Sequence, residues 1–243
     1  MQWKILSRLS SMKISAVILV LGLSTFFSNN AATADDVFHQ HGDLFKQHQD
    51  LMYVALVEGN TDRVEKLLKT PYVAANDKIR GEPLLSIAIR NDHPDIVQLL
   101  LKNGADVTAE TDSGHNVLNS WALQPSIPML EFLLQRVEAK FSADKQGFKR
   151  FINNRTDASN ISRTPLCAAM LYSESADFTD DGVLQIAKLL VDAGADVNAV
   201  DASGHAPLDY AKCYRTFGQK LDRPKTSAYL EQHGAVCAQK PNH

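Results

Sequence analysis

Few residues of this sequence have the types and spacing that chemistry requires. His39, His41 and His48 lie close together, and clustered imidazoles could bind a metal ion. A structural metal site usually needs four ligands held by further contacts, and this segment offers no such set. We therefore interpret the three histidines as solvated helix residues and predict no metal site.

Catalytic motifs are equally scarce. The sequence contains no glycine-rich phosphate-binding loop, no G-x-S-x-G nucleophile elbow and no H-E-x-x-H zinc motif. No two of the three cysteines, Cys167, Cys213 and Cys237, have the C-x-x-C spacing of a zinc or redox site. The sequence thus predicts a protein that is not an enzyme and that uses no cofactor.

The composition favours a compact, soluble protein. The 243 residues are 44% hydrophobic and 22% charged, with a formal net charge of −3, and one large domain or two small ones would fit this length. Binding to nucleic acid depends on a basic surface, which an acidic chain does not provide. We therefore expect no nucleic-acid partner.

Residues 1–34 have the pattern of a signal peptide. Lys4, Arg8 and Lys13 precede an apolar stretch at 14–27, and Ala32-Thr33-Ala34 forms a small-residue cleavage site. That stretch is shorter than the ~20 residues that span a membrane, and no cysteine follows it until Cys167 to carry a lipid anchor. We predict cleavage after Ala34 and a mature chain, residues 35–243, that is periplasmic or secreted and has no membrane anchor.

Two alternatives remain open for this segment. Translation starts at Met1 or at Met12, and either start leaves a complete signal and the same mature chain. A bacterial periplasm is the favoured destination. In a eukaryotic secreted protein, Asn154 and Asn160 would be glycosylation acceptors.

Internal repetition is the strongest pattern in the sequence. The string G-A-D-V-T-A at 104–109 returns as G-A-D-V-N-A at 194–199, and Ser-Gly-His occurs at both 113–115 and 203–205. Thr164-Pro165-Leu166-Cys167 and Ala206-Pro207-Leu208-Asp209 are two copies of a further string, which begins a repeat unit. Gly81 lies 33 residues before Gly114. Periods of this length are typical of stacked repeats that bury a continuous core between neighbours.

Together these strings resemble the ankyrin repeat family, whose unit is a β-turn followed by two antiparallel helices. The resemblance implies a mainly α fold, an ankyrin-repeat solenoid of about five helix-turn-helix units with β-turn or hairpin connections. The units would cover about 48–80, 81–113, 114–161, 162–203 and 204–237, the last three with inserts. Residues 36–58 would cap one end. In the second unit, Leu85, Ala88 and Ile89 would line one face of the first helix.

The three inserts set this chain apart from a plain array. In the first insert we expect a short extra helix with Phe141, Phe148, Phe151 and Ile152 on one face. The second gives an acidic loop at 173–181, and the third a basic loop at 215–225. We expect these two loops to emerge on the same side and to contact each other or a partner. Charge reversal at Asp180 and Asp181 should then leave thermal stability almost unchanged.

Several bulky or sulfur-containing residues look interior. Trp121 replaces the alanine found at its position in the other units, and we interpret it as a core residue rather than a binding anchor. Cys167 and Cys237 also occupy interior positions. A Cys213–Cys237 disulfide is not expected, because the two positions fall at opposite ends of antiparallel helices and a bridge needs Cα atoms within ~7 Å. We predict three free thiols.

The resemblance also implies a function, which is to bind a protein partner on the concave face of the solenoid. The variable positions around the turns and at the ends of the first helices are Arg80, Glu82, Arg90, Asn91, Asp112, His115, Leu123, Gln124, Arg163, Leu171, Tyr172, His205, Cys213 and Tyr214. The partner is a protein of unknown identity, and the unbound chain is expected to be a monomer. An immunity protein or inhibitor that blocks a periplasmic toxin or enzyme is the alternative. A hydrolase with its site in the inserts is disfavoured, because open solenoid grooves seldom exclude water.

Overall fold

The computed structural model describes residues 34–155, 163–172, 179–212, 215–216, 219–220 and 223–238, with side chains from residue 42 except at 172, 215–216 and 219–220. These residues form helices and two short antiparallel strand pairs. The helices are α1 Ala34–Val57, α2 Thr61–Leu68, α3 Leu84–Arg90, α4 Pro94–Lys102, α5 Val117–Ala122, α6 Ile127–Lys140, α7 Lys145–Ile152, α8 Pro165–Tyr172, α9 Asp180–Asp192, α10 Pro207–Lys212 and α11 Pro224–Gln232. The strands are β1 Lys78–Ile79, β2 Glu82–Pro83, β3 Arg215–Thr216 and β4 Gln219–Lys220.

The helices pack as a solenoid of stacked pairs. The first helices of successive units, α1, α3, α5, α8 and α10, pack on one another in that order, and each packs on its own second helix, which is α2, α4, α6, α9 and α11 respectively. Helix α7 is an addition to this plan. This order of contacts confirms the predicted ankyrin-type solenoid. The helices stack because neither helix of a pair could bury its apolar side chains without its neighbours.

Helix α3 shows how strongly the stack buries its central elements. The sequence predicts one apolar face, but every residue from Leu84 to Ile89 is buried, including Ser86. The predicted face of Leu85, Ala88 and Ile89 is buried as expected. Burial extends around the rest of the helix because α3 lies between α1 and α5 and also packs on α4. Asp92 follows α3 in the left-handed region, with φ 51°, and Pro94 then begins α4.

The β1–β2 pair is a tight hairpin in the turn before α3. Lys78 pairs with Pro83 and Ile79 with Glu82, so only Arg80 and Gly81 form the loop. Both have positive φ, 53° and 81°, as a two-residue type I′ turn requires. The second pair lies within the segment predicted as a basic loop, where Arg215–Thr216 is antiparallel to Gln219–Lys220.

The extra helix predicted in the first insert is present as α7. Phe151 and Ile152 are buried and Phe148 is half-buried, but Phe141 belongs to the C-terminal cap of α6 rather than to α7. Its ring packs on Phe148 and Phe151 with centroid distances of 6.5 and 5.5 Å. The four residues therefore share one cluster that is built from two helices.

Asparagine side chains join consecutive units on the side of the second helices. In each of three junctions, an amide donates to a glycine carbonyl of the next unit and accepts the backbone N–H two residues further on, at 2.7 to 2.9 Å. The three sets are Asn76 with Gly104 and Asp106, Asn153 with Gly194 and Asp196, and Asn198 with Gly234 and Val236. Asn153 follows α7 directly, so the insert precedes this junction and leaves it intact.

Among the described residues, no helix combines the length and the apolar character needed to cross a membrane.

Candidate functional site

A groove of about 600 Å³ runs along the turns and first helices of the middle units. We call it the turn groove. The predicted concave-face residues in its lining are Arg80, Glu82, Arg90, Asp112, His115, Leu123 and Arg163. The remaining lining residues are Gly81, Thr111, Ser113, Asn119, Ser120 and Ala168.

One end of the turn groove is formed by the β1–β2 hairpin and the end of α3. Arg90 donates from Nε and Nη2 to the two carboxylate oxygens of Glu82, at 3.2 and 3.0 Å. This bidentate geometry fixes both side chains. The guanidinium of Arg80 lies 4.9 Å from the centroid of the Tyr53 ring, a cation–π contact that orients it toward α1.

Asp112 connects two successive turns. Its carboxylate lies 2.8 Å from Lys78 Nζ, and its backbone N–H donates to the Gly81 carbonyl at 2.8 Å. A Cβ atom at Gly81 would lie 2.7 Å from Asp112 Oδ2. Gly81 therefore meets two requirements at once, the positive φ of the hairpin and the close approach of the next turn.

His115 is held within its own turn. Its backbone N–H donates to Thr111 Oγ1 at 3.0 Å, and its Nδ1 lies 2.8 Å from Ser113 Oγ. Burial lowers the pKa of His115 below its usual value, although the carboxylate of Glu82 opposes that effect. The imidazole is thus neutral at neutral pH and offers hydrogen bonds rather than charge.

The floor and far rim of the turn groove come from α5 and α8. Asn119 and Ser120 are buried, and Asn119 Nδ2 donates to the Asn154 carbonyl at 3.2 Å. Leu123 is 50% exposed at the C-terminal cap of α5, with Gln124 exposed beside it. Leu123 is therefore a large, exposed apolar side chain in the lining of the turn groove.

Arg163 closes the other end through a buried polar cluster. Its Nε lies 3.2 Å from Asp201 Oδ2, and the Tyr210 hydroxyl donates to the same oxygen. Asp201 Oδ1 accepts the backbone N–H groups of Ser203 and His205 at 2.8 and 3.0 Å. Burial raises the pKa of Asp201, but the hydrogen bonds and Arg163 outweigh it, so the pKa lies below its ordinary value. The carboxylate stays charged and orders the turn.

The remaining predicted site residues lie outside the turn groove. Asn91 Nδ2 donates to the Ile87 carbonyl at 2.8 Å and closes the end of α3. His205 packs on the Tyr210 ring at a centroid distance of 5.4 Å, and Leu171 is half-buried on α8. The side chain of Tyr172, together with Cys213 and Tyr214, lies outside the described residues.

Sequence reasoning missed the role of Asp201. Its position is equivalent to Thr111, because each stands two residues before a Ser-Gly-His string and accepts the histidine N–H. This recurrence is the sequence signal that could have identified Asp201. An aspartate in the second copy also recruits Arg163 from the preceding unit, a contact that no local pattern could reveal.

The acidic and basic inserts meet between α9 and α11. Asp180 accepts the backbone N–H groups of Lys225 and Thr226 at 2.8 and 3.1 Å, and the Thr226 hydroxyl at 2.6 Å. Asp181 pairs with Lys225 at 2.7 Å. The expected contact between the two segments is confirmed. However, Asp180 caps α11, so the expectation that its reversal would leave stability unchanged is corrected.

Arg223, in the segment predicted as a basic loop, does not lie on the surface. It is only 4% exposed, and its Nη1 donates to the Met170 carbonyl at 2.6 Å. The side chain therefore joins two units from within rather than facing a partner. Residues 173–178, the rest of the acidic insert, lie outside the described residues.

Trp121 and two of the cysteines lie in or beside the core. Trp121 is fully buried with Nε1 donating to the Ser126 carbonyl at 2.8 Å, which confirms it as a core residue. Cys167 is buried, and burial raises its pKa to about 12. Cys237 is half-buried, which corrects the interior position expected for it, and neither Cys167 nor Cys237 forms a disulfide with another described residue.

The candidate metal ligands are only partly described. His48 Nδ1 lies 2.7 Å from the Leu44 carbonyl, and its ring packs on Tyr72 at 4.6 Å. The side chains of His39 and His41 are outside the described part of the chain. Within that part, no group of three acidic, histidine or cysteine side chains is placed to hold a metal.

Comparison with known proteins agrees with this architecture. A family model for three copies of the ankyrin repeat matches residues 51–146, and a single-repeat model matches residues 162–202, so the matches cover more than half of the chain. An ankyrin repeat protein of Fowlpox virus (strain NVSL) is 26% identical over 181 residues, which are 67% of this chain and 92% of that protein. Ankyrin repeats generally mediate protein–protein interaction. On this sequence and architecture, the chain belongs to the ankyrin repeat family.

Proposed function

We propose that this protein is a non-catalytic interaction module that binds a partner protein in the turn groove and acts outside the cytoplasm. Binding in the turn groove is supported by the lining of the groove, where Leu123 is half exposed among fixed polar side chains. An apolar anchor surrounded by ordered hydrogen-bonding groups is the usual anatomy of a protein-binding surface.

The charges of the groove support recognition by shape and hydrogen bonding. Glu82 pairs with Arg90, Asp112 with Lys78, and Asp201 with Arg163. A partner therefore meets side chains that are already oriented and whose charges are largely balanced. Preorganised groups lose little entropy on binding, which favours affinity.

The test uses the protein in its own cell. The mature chain is purified from the cell envelope with its bound proteins, and affinity for the identified partner is then measured for Leu123→Asp and for Val236→Asp. Val236 is the matched control, because it is 63% exposed and lies in neither the groove nor the buried core. We expect about tenfold or greater weakening for Leu123→Asp alone. Equal affinities of the two variants would overturn the groove assignment.

The proposed location rests on residues 1–34. Cleavage after Ala34 would leave Asp35 and Asp36 in the first turn of α1, where acidic residues interact favourably with the helix dipole. Sequencing of exported material should begin at Asp35. Recovery of residues 14–27 in a membrane fraction would contradict both the cleavage and the lack of an anchor.

An inhibitor or immunity role is the alternative within the same class. The identity of the co-purified partner separates the two. A toxin or enzyme that loses activity when bound supports the inhibitor, whereas a partner that keeps its activity supports a scaffold. The free chain is expected to be a monomer in either case.

A further inference from the structure

The largest departure from a plain repeat array, the insert that forms α7, creates a second groove. This groove of about 1010 Å³ lies between the end of α6, α7 and the loop that follows α9, and we call it the insert groove. It shares no lining residue with the turn groove. The two grooves are therefore separate surfaces.

The floor of the insert groove is apolar and partly aromatic. Phe141 and Phe148 are both half-buried, with ring centroids 6.5 Å apart. The facing wall is formed by small residues, Ala193, Gly194 and Ala195, and a Cβ atom built on Gly194 would meet nothing within 4 Å. The groove is thus open at Gly194, and its apolar and aromatic lining suits the insertion of an apolar side chain.

The wall formed by α7 is basic. The helix carries Lys145, Lys149 and Arg150 and no acidic residue, in a chain whose formal net charge is −3. Lys145 and Lys149 line the groove, are exposed and make no ion pair with the described residues, whereas Arg150 lies 4.0 Å from Asp144. The acidic lining residues, Glu138 and Asp196, lie on the other walls, and Asp196 accepts the Asn198 N–H at 2.9 Å.

We propose that the insert groove binds an acidic segment of a protein, which places an aromatic or aliphatic side chain against Phe141 and Phe148 and carboxylates against Lys145 and Lys149. The charge of α7 selects this occupant, since unpaired cations beside an apolar pocket complement acidic residues that flank an apolar anchor. Two separate grooves would let the chain hold two protein segments at once.

The test uses a short fluorescent peptide with Leu and Phe on one helical face and Asp and Glu on the other. Two further peptides replace the acids with Lys or the apolar residues with Ala. Fluorescence anisotropy with the mature chain should show binding of the first peptide only, weakening as salt rises. Equal binding of the lysine peptide, or no binding of the acidic peptide, would overturn the proposal.

Matched variants locate the site. Ser142 is exposed and lines the groove, whereas its neighbour Ala143 is exposed and does not line it. Ser142→Trp should weaken the affinity for the acidic peptide about tenfold, and Ala143→Trp should leave that affinity unchanged. Lys145→Glu with Lys149→Glu should weaken binding more than Arg150→Glu. Equal effects within either comparison would refute the insert groove as the site, and circular dichroism checks that each variant is folded.

Discussion

At Asp92, a residue with a Cβ atom adopts a conformation that favours glycine. Its φ is 51°, and the equivalent position in the preceding unit is Gly59, with φ 72°. A Cβ atom at Gly59 would lie 2.7 Å from His93 Cε1, so that position also needs glycine for space. Left-handed backbone costs roughly 1 kcal/mol for a residue other than glycine, and less for Asp or Asn.

We expect Asp92→Gly to stabilise the protein. Relief of the strained conformation should raise the free energy of unfolding by about 0.5–1 kcal/mol. Glycine also increases the conformational entropy of the unfolded chain, and this effect reduces the gain. Urea denaturation measures the change. Asp92→Ala is the control and should not stabilise, because alanine keeps the strain. A more stable alanine variant would show that the aspartate side chain, rather than the backbone, is unfavourable here.

Asp201 should make stability depend on pH. Its pKa lies below the ordinary value in the folded state, so its contribution is present above the unfolded carboxyl pKa of about 3.9. The contribution is lost as pH falls through the lower folded value. We expect Asp201→Asn to be less stable than the parent at neutral pH, with a difference that shrinks below about pH 4. Thermal melts across this range measure it, and a difference independent of pH would contradict the assignment.

At the scale of elements, α9 and α11 depend on each other through Asp180. The carboxylate accepts backbone N–H groups of Lys225 and Thr226 in the first turn of α11, although it lies 45 residues earlier in the chain at the start of α9. Hydrogen bonds lower the pKa of Asp180 despite its partial burial, which raises it. The preceding unit of the same chain thus supplies the N-terminal cap of α11.

Asp180 and Asp181 should therefore behave differently on substitution. Asp180→Ala should lower the free energy of unfolding by about 1–2 kcal/mol, the usual contribution of a cap. Asp181→Ala should leave it almost unchanged, because its ion pair with Lys225 is exposed and screened by water. Urea denaturation compares them. Equal losses would mean that charge, rather than capping geometry, joins the two units.

At the scale of the whole molecule, hydrogen bonds from asparagine side chains join three pairs of neighbouring units. They occur at Asn76, Asn153 and Asn198, whereas Thr108, at the equivalent position of the second unit, bonds within its own turn to Asp106 at 2.8 Å. The unit that follows Thr108 has α7 after its second helix, whereas the second, fourth and fifth units have Gly-Ala there, at 104–105, 194–195 and 234–235. Stability in such arrays depends on interfaces between neighbours as well as on each unit.

Asn153→Ala should thus weaken coupling between the units on either side of it. We expect a loss of about 1 kcal/mol, together with a smaller denaturant slope if the C-terminal units begin to unfold separately. Thr108→Ala is the matched control and should reduce stability without changing the slope. Hydrogen exchange that rises equally in all units of Asn153→Ala would contradict this view.

The sequence is enough to determine the repeat architecture, because each unit repeats its own apolar spacing and turn residues. Strings such as Gly104-Ala105-Asp106 and Ser113-Gly114-His115 encode local turns, and the extra helix in the first insert follows from its aromatic spacing. The two grooves could be predicted from the sequence only in part. Arg80, Glu82 and Arg90 could be assigned to the turn surface, whereas the pairing of Glu82 with Arg90 required the structure.

Tertiary structure alone decided which charged residues line the grooves and which hold units together. Asp180, Asp201 and Arg223 look like surface charges in the sequence, yet each bonds to a residue 9 to 53 positions away and orders a neighbouring turn or helix. The physical reason is that local patterns specify helices and turns, while the bonds of a side chain depend on which backbone groups the stack brings beside it. The insert groove has the same origin, since it exists only where α7 packs next to the loop of the following unit.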